Sequence, residues 1–111
     1  MREISYGDFL NVELRVGKIL KAQDFPSAKK PAYKLWIDFG SLGIKKASAQ
    51  ITKLYTRNEL LDRKIIAVVN FPPKQVADFM SEVLVLGAVL EDGGVSLLSV
   101  DHNVPPGTKV L

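Results

Sequence analysis

The sequence predicts an all-β fold with short helices, a small closed barrel of Greek-key type, on three observations. Tyr33–Phe39 alternates apolar and polar residues and runs into Gly40-Ser41-Leu42-Gly43-Ile44, a hairpin signal. Two short apolar strands, Lys64–Val69 and Val83–Leu86, flank Pro72-Pro73, which lacks N–H groups and so breaks the ladder into a corner. The first strand, Leu14–Asp24, holds Gly17 where strict alternation would turn Lys18 inward. A bulge at Gly17 would bend that strand toward closure.

In chain order, Ser5 suits an N-cap and Asp8 the first turn of a helix of about two turns that carries Phe9, Leu10 and Val12. A helix so short needs a surface to dock on. Phe25 to Ala32, with Pro26, Lys29, Lys30 and Pro31, reads as a loop. In the following hairpin Tyr33, Leu35, Ile37 and Phe39 share one face; Lys34, Trp36 and Asp38 share the other. A turn over Ser41–Gly43 would set Asp38 opposite Lys46 and Trp36 opposite Ser48. Gln50 to Arg63 suggests a turn and a short helix over Asn58-Glu59-Leu60-Leu61. Lys64–Val69 is apolar at five successive positions, which suggests cover on both faces. A short connector from Lys74 to Ser81 leads into Val83–Leu86, and the apolar run continues to Leu90. Glu91-Asp92-Gly93-Gly94 is a second hairpin turn, with Val95–Val100 returning. Lys109-Val110-Leu111 adds a last short strand after a loop around Pro105-Pro106-Gly107.

Short strands, a bulged first strand and a small helix between strands three and four match the five-stranded OB-fold barrel, here with an N-terminal helix and a C-terminal extension. Periodicity alone leaves an SH3-like barrel or a sandwich open. At 111 residues the chain is expected to form one domain, 1–111, around one core. No apolar run is long enough for a membrane helix, so no membrane insertion is expected. The absence of cysteine and of a signal-peptide core fits a cytoplasmic protein. A net charge of +3 permits nucleic-acid or acidic partners without requiring either.

Catalysis finds little support. His102 is the only histidine and lies in a proline-rich loop. No nucleophile motif, metal-ligand spacing or phosphate-cradling glycine loop is present. The chain reads as a non-enzyme with no metal and no cofactor.

A longer pattern narrows the function. Asp8-Phe9 leads into Leu14-Arg15-Val16-Gly17-Lys18-Ile19, and Pro26 and Ala28 stand in the loop. Asn70, Pro73, Ser81 and Leu86 follow at the spacing Asn-x-x-Pro…Ser-x-Gly-Met-x-Leu. With these marks the chain resembles the tRNA-binding domain family, OB-folds found in tRNA-binding proteins and appended to some aminoacyl-tRNA synthetases. The runs Lys34–Gly40, Ser48–Lys53, Ala67–Pro73 and Ser81–Gly87 are most similar to the family's small export-related chaperones of bacteria and archaea. That resemblance implies a homodimer whose exposed apolar pockets hold unfolded or preprotein segments, with export machinery as a further partner.

The departures favour the chaperone branch over RNA binding. Phe25 and Lys29 replace the usual loop histidine and aspartate, Val83-Leu84 replaces Gly-Met, and Asp78 replaces a glycine. Branched Val83 denies the close backbone approach that glycine allows, and Asp78 puts negative charge near a phosphate path. The expected peptide-binding residues are Trp36, Phe71, Pro72 and Phe79. The three aromatic residues each have a structural alternative: the N-terminal helix or a partner subunit covers Trp36, Phe71 plugs a corner, and Phe79 packs the connector. The alternative function is a tRNA-binding module with a basic groove of Lys29, Lys30, Lys45, Lys46, Lys53 and Lys74, together with Ser81. Such tRNA binding would be weak and salt-sensitive. The expected dimer interface uses Phe9, Leu10, Val12, Val104 and Val110.

Overall fold

The computed structural model describes all 111 residues. The N-terminal helix, α1 (Tyr6–Leu10), starts at a reciprocal cap. Ser5 Oγ accepts the Asp8 N–H at 3.0 Å, and the Asp8 carboxylate accepts the Ser5 N–H at 3.1 Å. The helix is shorter than expected, and none of its residues is buried within the chain.

Strands β1 (Leu14–Asp24), β2 (Tyr33–Asp38) and β3 (Ile44–Ala49) form an antiparallel meander. Helix α2 (Arg57–Leu60) follows, then β4 (Lys64–Val68). Leu60 of α2 is fully buried and caps one end of the core. Thr56 begins α2 with a second capping box, accepting from and donating to Glu59. Hydrogen bonds from the Thr56 backbone, then from its side chain, hold the Glu59 carboxyl below its ordinary value, with a smaller contribution from Arg63. A depressed carboxylate stabilises the fold above its unfolded value, and the contribution is lost as pH falls through the folded value.

After β4 come β5 (Lys74–Val76), β6 (Phe79–Ser81), β7 (Leu84–Val85), β8 (Gly87–Val89), β9 (Val95–Leu97) and β10 (Lys109–Val110). The main sheet runs β3-β2-β1-β4-β7, with β10 pairing β1; β5–β6 and β8–β9 are separate hairpins. The sheet curls until β3 meets the segment leading into β7. Glu82 N–H donates to the Lys46 carbonyl at 2.8 Å, Lys46 N–H to the Glu82 carboxylate at 2.9 Å, and Ser48 N–H to Ser81 Oγ at 3.0 Å. The result is the nearly closed OB-type barrel that the sequence predicts. Its core packs Ile19, Leu35, Ile37, Phe39, Leu60 and Ile65. No helix is long and apolar enough to cross a membrane.

Three local expectations are corrected. Asp38 pairs with Ile44, and Lys46 with Trp36, so the β2–β3 register is displaced by two residues. A two-residue slip keeps every side chain on its expected face. Its cause is the turn: Gly40–Leu42 winds into a 3-10 helix between Gly40 (φ 64°) and Gly43 (φ 87°). Asp38 caps that turn, accepting the Gly40 N–H at 2.8 Å. Second, the bulge in β1 lies between Ile19 and Lys21, not at Gly17. Gly17 serves packing instead: a Cβ there would stand 2.5 Å from Ile37 Cγ2 and 2.6 Å from Phe39 Cε1. Third, the connector from Lys74 to Ser81 is a β-hairpin, turned at Ala77 with φ 52°.

Candidate functional site

The β5–β6 hairpin organises the surface. Pro72-Pro73 lifts the chain off the end of β4, and Asn70 anchors the departure. Asn70 Oδ1 accepts the Glu13 N–H at 3.0 Å, while its amide donates to the Asn11 carbonyl at 2.8 Å. One side chain thereby fixes the exit of β4 against the link between α1 and β1. Ser27 Oγ donates to the Asp78 carboxylate at 3.0 Å and ties the β1–β2 loop to the hairpin tip. The charge of Asp78, at a position usually glycine in the resembling family, thus has a local partner.

The hairpin lies across the outer face of β2 and β3. Phe79 is 6% exposed and meets the ring of Phe25 edge-on at 5.6 Å and that of Trp36 at 5.7 Å. Phe25, Phe79 and Ala32 form a second buried cluster outside the barrel, with Trp36, Val76 and Ala28 against it. Within the chain the cover over Trp36 therefore comes from Phe79, and from Lys21, whose ammonium stands 4.8 Å from the indole.

Lysines surround this cluster. Lys21, Trp36 and Lys46 occupy one cross-strand row of β1, β2 and β3. Lys46 Nζ lies 5.2 Å from the Phe79 ring, and Lys34 Nζ 4.9 Å from Phe25 and 5.4 Å from Phe79. These distances suit cation–π attraction. None of the three ammonium groups forms an ion pair with a carboxylate. Sequence reasoning missed Lys21 and Lys34. Lys34 shares the Trp36 face by spacing alone, whereas Lys21 reaches it only through the strand register.

Three depressions ring the hairpin. The largest, about 610 Å³, lies between the end of β3 and β7–β8, with Ala49, Ile51, Val76, Val83, Val85 and Val89 among its lining. A second, about 320 Å³, is lined by Phe71, Pro72, Lys74 and Ser81–Leu84. The third, about 340 Å³, is bounded by Ser27–Lys30, Ala32, Val76 and Ala77.

The expected site residues are distributed among these features. Phe71 and Pro72 share the second depression with Lys74 and Ser81, and Phe71 is 53% exposed. Trp36 and Phe79 sit apart from them, in the aromatic cluster. Lys29 and Lys30 line the third depression. Alternation along β3 separates the neighbours Lys45 and Lys46, because Lys45 falls on the face of Ala47 and Ala49. Lys53 donates to the Asp92 carbonyl at the β8–β9 turn. Ser81 Oγ accepts at the barrel seam.

The expected interface residues lie on another side. Leu10 (51%) and Val12 (39%) are exposed, while Phe9, Val104 and Val110 are half-buried. Val110, Leu14, Val68 and Leu84 form a continuous apolar row across β10, β1, β4 and β7. His102 is exposed in its loop.

Comparison with known proteins places this geometry. A family model described as "Putative tRNA binding domain" matches residues 14–109. The chain is 51% identical to the chaperone CsaA of Bacillus anthracis str. Ames, with a TM-score of 0.95 over 99% of this chain and 100% of that one. Against the CsaA chaperone protein of Picrophilus torridus the identity is 55% and the TM-score 0.93, over 98% of this chain and 100% of that one. Among curated proteins, the methionine–tRNA ligase of Methanocaldococcus jannaschii is 34% identical over 110 residues. That alignment takes 99% of this chain but only 17% of the ligase.

Proposed function

The chain belongs to the tRNA-binding domain family, and from that premise we propose that it is a non-catalytic chaperone module for unfolded or preprotein segments. Apolar stretches of such clients would sit in the depressions around the β5–β6 hairpin. The observation that carries this reading is the groove of about 610 Å³, lined largely by valine, leucine, isoleucine and alanine and open to solvent. Whole-length similarity to two CsaA chaperones supports it. Holding preproteins unfolded is a task that precedes export, which links the module to export machinery and to the cytoplasm. No cofactor or metal enters this reading.

Phe71 provides the test. It is 53% exposed beside Pro72, so Phe71→Ala removes contact area without opening the core. The expected result is a several-fold weaker capture of an unfolded apolar polypeptide, with stability changed by less than about 0.5 kcal/mol. Unchanged capture would place the client elsewhere.

We also propose a homodimer. Leu10, Val12 and Leu84 are exposed, and Leu14 and Val110 are half-buried, so each has apolar area that a second subunit would cover; Val68, in the same row, is already buried within the chain. Burying one leucine-sized side chain contributes about 1.5–3 kcal/mol, so a few such contacts suffice. Light scattering at tens of micromolar should report a dimer; a monomer there rejects the interface.

The second reading is tRNA binding through a basic groove. The uncompensated ammonium groups of Lys21, Lys34 and Lys46 favour it, with Lys29, Lys30 and Lys74 at the neighbouring depressions. Phosphates would meet lysines, while Trp36 lies in the same row as a partly covered aromatic.

A further inference from the structure

The polypeptide reading leaves open how a client backbone is held, and the inference here rests on that reading. The main sheet ends in two edge strands, β3 and β7. Ser81 and Glu82 stitch these edges together at one end of the seam. Beyond the stitch the seam is open. Leu86 N–H donates to the Ile66 carbonyl at 2.9 Å, and Leu98 N–H to the Leu86 carbonyl at 3.3 Å. The backbones of Leu84 and Leu86 therefore turn toward β4, and those of Leu86 and Ala88 toward β9. Main-chain groups alternate sides along a strand, so Val85, Gly87 and Val89 aim their N–H and C=O groups the other way. By that alternation their groups are turned away from β4 and β9, and no turn, loop or side-chain hydrogen bond engages them. All three residues line the 610 Å³ groove.

A row of free donors and acceptors at two-residue spacing is a template for one more strand. Sheet edges are commonly protected by charges, proline or a bulge. This edge instead faces an apolar groove whose one charged lining residue is Lys74. Of the two adjoining depressions, one adds Lys29 and Lys30, and the other adds Glu82, whose carboxylate already accepts the Lys46 N–H. The electrostatics thus select among extended chains. A nucleic-acid backbone offers no regular N–H donors to the carbonyls of Val85, Gly87 and Val89.

We propose that an extended polypeptide segment, apolar at alternate positions and carboxylate-bearing at one end, docks as an added β-strand on the Val85–Val89 edge. Its main chain pairs with the free groups, its apolar side chains enter the groove, and its carboxylates meet Lys74 and the Lys29-Lys30 pair.

The test uses the intact protein and a fluorescein-labelled synthetic peptide of alternating leucine and serine that ends in two glutamates. Three forms are compared by fluorescence anisotropy: unmodified, N-methylated at the leucines, and N-methylated at the serines. N–H groups of one set point to one edge, so one methylated form should bind about tenfold or more weakly and the other within about twofold of the parent. Equal responses of the two sets overturn edge pairing while leaving polypeptide binding intact. Failure of the unmodified peptide to bind overturns the polypeptide reading and this inference together. Added peptide should also slow amide hydrogen exchange at Val85, Gly87 and Val89. The same slowing on concentrating the protein alone assigns the edge to a second copy, and slowing by tRNA without peptide assigns it to RNA; either overturns the proposal. Lys74→Glu should shift the preference toward a peptide ending in two lysines, and an unchanged preference rejects the charge selection.

Discussion

Phe79→Ala is expected to lower the unfolding free energy by about 3–5 kcal/mol, a large fraction of what a domain of this size holds. The ring is 6% exposed and ties the β5–β6 hairpin to the β1–β2 loop and to β2, with which the hairpin shares no ladder. It meets Phe25 from the β1–β2 loop and Trp36 from β2, with Lys34 and Lys46 at its faces. Truncation would leave a void in the outer cluster and free the β5–β6 hairpin, whose ladder is only three residue pairs long. Isolated hairpins of that size do not stand alone in water. Urea unfolding of the variant should therefore show a much lower midpoint, with hairpin amides exchanging before the barrel opens. An unfolding free energy within about 0.5 kcal/mol of the parent would show the ring to contribute no more than exposed surface does. The contrast between the two phenylalanines matters for the proposed function: a loss of client capture in Phe79→Ala would follow from a displaced hairpin, whereas in Phe71→Ala it would follow from a lost contact.

That contrast also marks how far the sequence could be read. Local chemistry was legible. Ser5 with Asp8 caps a helix, Tyr33–Phe39 alternates, and Pro72-Pro73 breaks a ladder, each within a few residues. The barrel followed from the order of such elements. What depends on a turn's exact conformation was not legible. The 3-10 helix at Gly40–Leu42 displaced the register by two, and the change of direction at Ala77 carries no glycine to announce it. The site was less legible still, because contacts across strands and between hairpins build it. Lys21 reaches Trp36 only through a bulged register, and Phe79 finds Phe25 across a long sequence separation. Ser81 illustrates the difficulty from the other side. The spacing of the signature singled it out as a binding residue, and the structure places its hydroxyl at the barrel seam, against Ser48. Asn70, from the same signature, braces the exit of β4. A spaced pattern records that positions are linked without recording whether they are linked for binding or for closure.

The two candidate ligands should part company in a salt titration. If tRNA binds, phosphates meet the ammonium groups of Lys21, Lys34 and Lys46 and those of the flanking Lys29, Lys30 or Lys74. Each neutralised phosphate releases condensed counterions, so the logarithm of the binding constant falls with a slope of about −0.7 to −0.9 per contact against the logarithm of salt. Four such contacts lower tRNA affinity on the order of a hundredfold between about 50 and 200 mM salt. Polypeptide held in the groove responds differently, because screening weakens charge interactions without weakening apolar burial. An apolar peptide without acidic ends should keep its affinity within about twofold over the same range, and one with acidic ends should lose only the part contributed by lysines. Competition sharpens the comparison. Lys74 lines two of the depressions and begins the β5–β6 hairpin, so a bound polypeptide and a bound tRNA would contend for it at low salt and cease to contend at high salt. Fluorescence anisotropy with labelled peptide and unlabelled tRNA measures both quantities in one series. Steep loss of tRNA binding with retained peptide capture supports the chaperone assignment. Tight tRNA binding that survives high salt, with no capture of unfolded chain, rejects it and makes the RNA-binding module the working description of this protein.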